Sequence, residues 1–195
     1  MSSKTNIKIS NSRLLLVEGK DEVNFFNALL ERVGLNFQVL PVDGKSKFRS
    51  TLDLLRNDPR WSELTQLIAI RDADQGKDES FQIGEAAKGA FASLADSFRQ
   101  FGVPVPSGHG AIARRDQLRS AIFIMPDGIR DGMLEESCDR FGGRGASHEV
   151  RRCLLHMCRF HADSNGEGAH SRLSFDPSAA GSARRRSRAE QGVVL

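Results

Sequence analysis

The stretch RLLLVEGKDEVNFF, residues 13–26, decides how the rest of the chain is read. Its apolar run, Leu14 to Val17, stops on Glu18. Gly19 and a charged cluster follow, and then Phe25 and Phe26. An unbroken apolar run suits a strand covered on both faces rather than one. Beyond it, Val23, Phe26, Leu29, Leu30 and Val33 recur at helical spacing, and Gly34 provides a C-terminal cap. The stretch is therefore a buried strand turning into a helix, with a carboxylate at the turn.

Working outward, the same alternation repeats. Apolar runs at 66–72 (QLIAIRD) and 120–127 (SAIFIMPD) read as buried strands. A shorter run at 37–44 contains Pro41, which fits an edge strand or a bulge. A helix is predicted over 21–33. A second, over 46–57, carries Phe48, Leu52 and Leu55 and is stopped by Asn57-Asp58-Pro59. A third, over 80–101, carries Phe91, Leu94, Ala95 and Phe98 and is stopped by Gly102. Residues 103–110 read as a loop or a short extra strand. The order predicts an α/β, Rossmann-like domain over 1–138, with a mainly parallel sheet of about four strands, helices on both faces and right-handed crossovers.

Of the 195 residues, 39% are apolar and 27% charged, the balance of a globular protein. No apolar run approaches the ~18 residues of a membrane span. The first ten residues lack the apolar centre of a secretion signal, so a cytoplasmic location is expected. Three late cysteines do not suggest a disulfide framework. The net charge of +3 is uneven: residues 1–138 hold 18 Lys and Arg against 19 Asp and Glu. The basic character therefore belongs to 139–195, which is rich in Arg, Gly, Ser and His. Two readings of that tail stay open. It is a poorly ordered end with a helical patch near 148–160, or it is read in a shifted frame. Cys153, His156, Cys158 and His161 match no usual zinc-finger spacing. Gly44-Lys45-Ser46 lacks the first glycine of a phosphate-binding loop, since Val39 stands there.

The carboxylates fall at informative places. Glu18 ends the first strand, Asp72 and Asp74 end the third, and Asp127 ends the fourth, with Glu135 soon after. In parallel α/β sheets ligands gather at the carboxyl ends of the strands. Acids crowded there repel one another unless a cation lies between them, and all-oxygen donors favour Mg²⁺ or Mn²⁺ over zinc. Glu22, one helical turn after Glu18, is placed to reach the same ion. The competing explanation is that acids favour helix N-termini and Asp favours turns. It serves well for Glu22 alone and poorly for Glu18 with Asp72 and Asp74.

The motifs LLLVEGKDE and LIAIRDAD together resemble the Toprim domain, over about residues 13–136. The first is most similar to the OLD-like nuclease branch, and GMLEE resembles a segment of small stand-alone Toprim-related proteins of unassigned function. The resemblance implies Mg²⁺- or Mn²⁺-dependent phosphodiester chemistry on DNA or RNA, nuclease-like in kind. It makes Glu18, Asp72 and Asp74 catalytic and metal-binding, with Glu22 and Glu135 as further ligands. Lys20, Lys45, Lys47 and Arg115 become candidates for contacting nucleic-acid phosphates. For an OLD-like system it also implies an ATPase partner encoded nearby. The chain has no tyrosine, which excludes the covalent step of a topoisomerase. No lysine follows Lys88, so Arg114, Arg115 or Arg130 would have to stabilise the phosphate. The alternative is a non-catalytic Toprim-like module that binds metal or nucleic acid and acts with a partner protein.

Overall fold

A computed structural model describes residues 7–73, 84–126 and 128–129. The elements follow one another as β1 (Arg13–Val17), α1 (Lys20–Arg32), β2 (Gln38–Pro41), α2 (Phe48–Arg56), β3 (Gln66–Asp72), α3 (Glu85–Gln100), β4 (Ile112–Arg115) and β5 (Leu118–Met125). Short 3-10 turns precede and follow α2, at Lys45–Lys47 and Pro59–Glu63. The sheet has five strands in the order β2-β1-β3-β5-β4. The pairs β1–β2, β1–β3 and β3–β5 are parallel, and β4 closes the far edge antiparallel to β5.

The unbroken apolar runs are buried on both sides, as their composition requires. Leu14, Leu15, Leu16 and Val17 are all 0% exposed. Leu14 and Leu16 join Phe48, Leu52 and Leu55 of α2 and Leu94 and Phe98 of α3 in one core. Leu15 and Val17 join Phe26 and Leu30 of α1 in the other. Each Leu buried in this way stabilises the fold by roughly 1.5–3 kcal/mol. The helix ends are set by glycine. Gly34 has φ 69 and Gly102 φ 71, and each lets the following amide reach back along its helix. Leu35 N–H donates to Leu30 O and Val103 N–H to Phe98 O, both at 2.9 Å, which satisfies carbonyls left over at the helix terminus.

One expectation is corrected. The sheet has a fifth strand, β4, and residues 103–110 are not it. Ile112, Arg114 and Arg115 are exposed, so β4 has no apolar run to announce it. It exists because Asp116, at φ 54, turns the chain back so that Arg115 pairs with Leu118. Of the helix expected over 80–101, α3 covers Glu85–Gln100, and residues 80–83 lie outside the described residues. Pro41 does lie on an edge strand, as expected.

The segment before β1 is held by side chains. Gln38 Oε1 accepts from the amides of Ser10 (2.7 Å) and Asn11 (3.2 Å). Asp58 accepts from Ile9 N–H at 3.0 Å and from Arg60 N–H at 2.8 Å, capping the turn after α2. These bonds favour the carboxylate, the Ile9 bond most, and hold Asp58 below its ordinary value of 3.8. The native state thus binds this proton less readily than the unfolded chain. What the bonds contribute is fully present above 3.8 and fades as the pH falls through the lower folded value. Carbon-13 titration should show Asp58 titrating below 3.8, and Asp58→Ala should speed hydrogen exchange at Ile9 and Arg60. Exchange at both amides unchanged in the variant would mean that the bonds do not hold the segment.

Candidate functional site

The chain leaves β1 and β3 toward opposite faces of the sheet. After β1 it enters α1, which belongs to one core, and α3, which follows β3, belongs to the other. The two strands are neighbours, so their carboxyl ends diverge and leave a crevice at the point where the winding reverses. Sheets of this kind bind ligands at that crevice. Glu18 directly follows β1 and Asp72 is the last residue of β3.

Glu18 lies in a bend and is half-buried, with its Oε2 shielded from solvent. Its carbonyl accepts from Gly44 N–H at 3.0 Å, just past the bond from Val42 N–H to Val17 O at 2.9 Å. The loop after β2 is thereby held against the turn after β1. Extending the β1–β3 register beyond Leu16 and Ala69 sets Glu18 level with Arg71. Asp72 pairs with Met125, and Ala73 N–H continues the ladder to Met125 O at 2.9 Å. Strand alternation puts Asp72 on the side of Ile68 and Ile70, the α1 side.

Glu22 folds back toward the strand end. A Cβ at position 19 would stand 2.9 Å from Glu22 Oε2, so Gly19 makes room for that carboxylate. The same location, in the first turn of α1, lets Glu22 favour the helix dipole. Lys20 is the first residue of α1 and is exposed, and Lys45 and Lys47 are exposed on the turn that follows Gly44. These three lysines therefore share the rim with Glu18. Arg115 does not. It pairs with Leu118, where β5 begins, at the amino end of the sheet, and its guanidinium approaches Gly102. The hairpin places Arg114 there as well, so neither arginine can stand in for a phosphate-binding lysine beside Glu18. Asp74, Asp127, Arg130 and Glu135 lie outside the described residues.

Two rim residues escaped the sequence reading. Asp43, exposed and at φ 57, precedes the Gly44 that bonds to Glu18. The Asp-Gly pair ending an apolar run was the available signal. His109 lies at the β5 end. Its Nδ1 accepts from Ile124 N–H at 2.9 Å, and its ring meets Phe123 edge-on at 5.5 Å between centroids. Among the described residues, no three His, Cys, Asp or Glu side chains gather closely enough to hold a metal ion. The described acids are nonetheless hard oxygen donors, the chemistry that suits Mg²⁺ or Mn²⁺.

A mostly parallel α/β sheet with acids at its switch point defines the class. Residues 12–153 match the family described as "Protein of unknown function (DUF3226)", and the chain belongs to that family. The match runs past the domain boundary expected at 138. No curated protein and no solved structure matches the chain. Among the described residues, no helix is long and apolar enough to cross a membrane.

Gly19→Ala tests the fit of Glu22. The Gly19 backbone, at φ −137, is open to alanine, so only the Glu22 carboxylate has to move. The melting temperature should stay within about 2 °C, while the carbon-13 shift of the Glu22 carboxyl group changes. An unchanged Glu22 shift would show that Gly19 does not shape its position.

Proposed function

We propose that this chain is a Toprim-type module carrying out Mg²⁺- or Mn²⁺-dependent, nuclease-like phosphodiester chemistry on DNA or RNA. The observation that supports the reading is that Glu18 follows β1 and Asp72 ends β3, neighbouring parallel strands between which the winding reverses. Glu18, Asp72 and Asp74 would hold the ion, with Glu22 and Glu135 completing its shell. A bound ion supplies charge neutralisation at the phosphodiester and a more acidic water. The chain's own part would be to bring carboxylate oxygens from two strand ends and one helix turn to the ion. Glu18, whose Oε2 is shielded from solvent, would bind the ion or take up a proton at the scissile phosphate. Lys20, Lys45 and Lys47 ring the same rim and would position the nucleic-acid backbone through its phosphates. The OLD-like character of the first motif adds an ATPase as a partner to seek among neighbouring genes.

A second reading rests on Arg71. Arg71, level with Glu18 when the β1–β3 register is extended, is a cation built into the chain, and it can balance the acid without a metal. In that case the module binds nucleic acid or a partner protein and does no chemistry.

Thermal melts separate the two. With metal at about a hundredfold excess over its dissociation constant, the folded state should gain about 2.7 kcal/mol. Asp72→Asn should remove most of that gain and cost little in metal-free buffer. Asp53→Asn, exposed on α2, should leave it intact. A panel of DNA and RNA substrates with Mg²⁺ or Mn²⁺ should show cleavage that Glu18→Gln abolishes. No metal-dependent shift in the unsubstituted protein, or the same shift in Asp72→Asn, would favour the non-catalytic module.

A further inference from the structure

His109 is clamped at the β5 end of the rim. Gly110 N–H donates to Ile122 O at 2.8 Å, so the chain ahead of β4 runs beside β5 there. Further along β5, Ile124 N–H donates to His109 Nδ1 at 2.9 Å. Ile124 pairs with Arg71, one residue before Asp72, so the imidazole stands level with the strand end that carries Asp72. The ring lies edge-on to Phe123, which belongs to the core on the α1 side, the side that strand alternation gives Asp72. Gly128, at φ 75, closes against the ring: a Cβ there would stand 2.2 Å from His109 Cγ and 2.3 Å from Nδ1. The imidazole is thus held between β5 and Gly128, while His109 as a whole is only half-buried.

That clamp fixes the proton. A ring nitrogen that accepts from an amide carries no hydrogen, so the neutral ring keeps its proton on the other nitrogen. We infer that His109 is a neutral substrate-binding residue whose Nε2–H donates to a phosphate oxygen of the nucleic acid, on the flank of the rim opposite the lysines. The inference rests on the phosphodiester reading above. A second proton, on Nδ1, would set two donors against each other at Ile124, so the contact is made without a positive charge. With Nδ1 bonded and Nε2 protonated, neither nitrogen offers a lone pair to an ion, and metal binding is left to the carboxylates. Lys20 opens α1 after β1, and Lys45 and Lys47 follow β2, so the cations lie at the other end of the rim. β2 and β5 are three strand spacings apart, roughly 14 Å. One nucleic-acid strand covers that span in roughly four nucleotides. Phosphates on either side of the one at Glu18 and Asp72 are then held differently, by cations on one flank and by a dipolar donor on the other.

The test uses the full-length chain with labelled DNA and RNA hexanucleotides and Mg²⁺, in the Glu18→Gln background so that the probe stays intact. His109→Asn keeps an acceptor for Ile124 N–H and removes the donor on the far side of the ring. It should weaken binding by about tenfold or more and leave the salt dependence of binding unchanged, because no charge is lost. Lys47→Gln should weaken binding and lower the salt slope by about one. Unaltered affinity in His109→Asn, beside weakened binding in Lys47→Gln, overturns the inference and leaves the nucleic-acid reading standing. A salt slope lowered in His109→Asn as in Lys47→Gln shows a charged ring and overturns it as well. Absence of hexanucleotide binding before either substitution is added overturns both the reading and the inference. Nitrogen-15 spectra of the unsubstituted chain at neutral pH provide a readout that needs no variant. The His109 proton should be found on Nε2, and a proton on Nδ1 overturns the inference even if His109→Asn fails to fold.

Discussion

The burial of β1 on both faces is the constraint on which the rest of the structure depends. Leu14 and Leu16 need one layer of helices, Leu15 and Val17 need another, and both edges of the strand are paired. A strand so enclosed can meet solvent only at its ends. The carboxyl end is where the chain must escape toward α1, and Glu18 stands there. The acid therefore takes a position at this strand's carboxyl end, where a charge keeps partial contact with water, as Arg13 does at the amino end. Removing such a charge from water entirely would cost several kcal/mol.

The reversal of winding follows from the same enclosure. With β2 on one side of β1 and β3 on the other, a crossover of constant hand must run along one face for the first connection and the opposite face for the next. The placement of α1 in one core and of α2 and α3 in the other obeys that geometry. The crevice between the ends of β1 and β3 is thus a result of topology, and the side chains at it come from positions 18 and 72. Lys45 and Lys47 are brought in by the hydrogen bond that fastens Gly44 to Glu18.

The parts of this arrangement that were legible in the sequence are those with a strong apolar signal. QLIAIRD is β3 from its first residue to its last, and Phe48, Leu52 and Leu55 of α2 are buried as their spacing requires. With the strands fixed, Glu18 and Asp72 could be set at one rim. What was not legible depends on backbone turns. β4 is a strand because a reversal at Asp116 returns the chain to β5, and its exposed arginines give no pattern of their own. That reversal also carries Arg115 to the far end of the sheet, a displacement that sequence distance cannot reveal. Asp43 joins the rim through a positive φ, and His109 through a ring nitrogen that takes the place of a main-chain acceptor.

The two outer strands have a consequence for how this sheet meets other chains. Val42 donates its amide inward to Val17, and amides alternate along a strand, so the nitrogen of Pro41 faces outward from β2, where it has no hydrogen to offer. On the opposite border, a second β4 laid antiparallel would set guanidinium against guanidinium at Arg114 and Arg115, and like charges directly opposite repel. One border lacks a donor at Pro41 and the other rejects its own copy. The sheet is therefore poorly suited to growth by strand addition, the route by which open sheets polymerise.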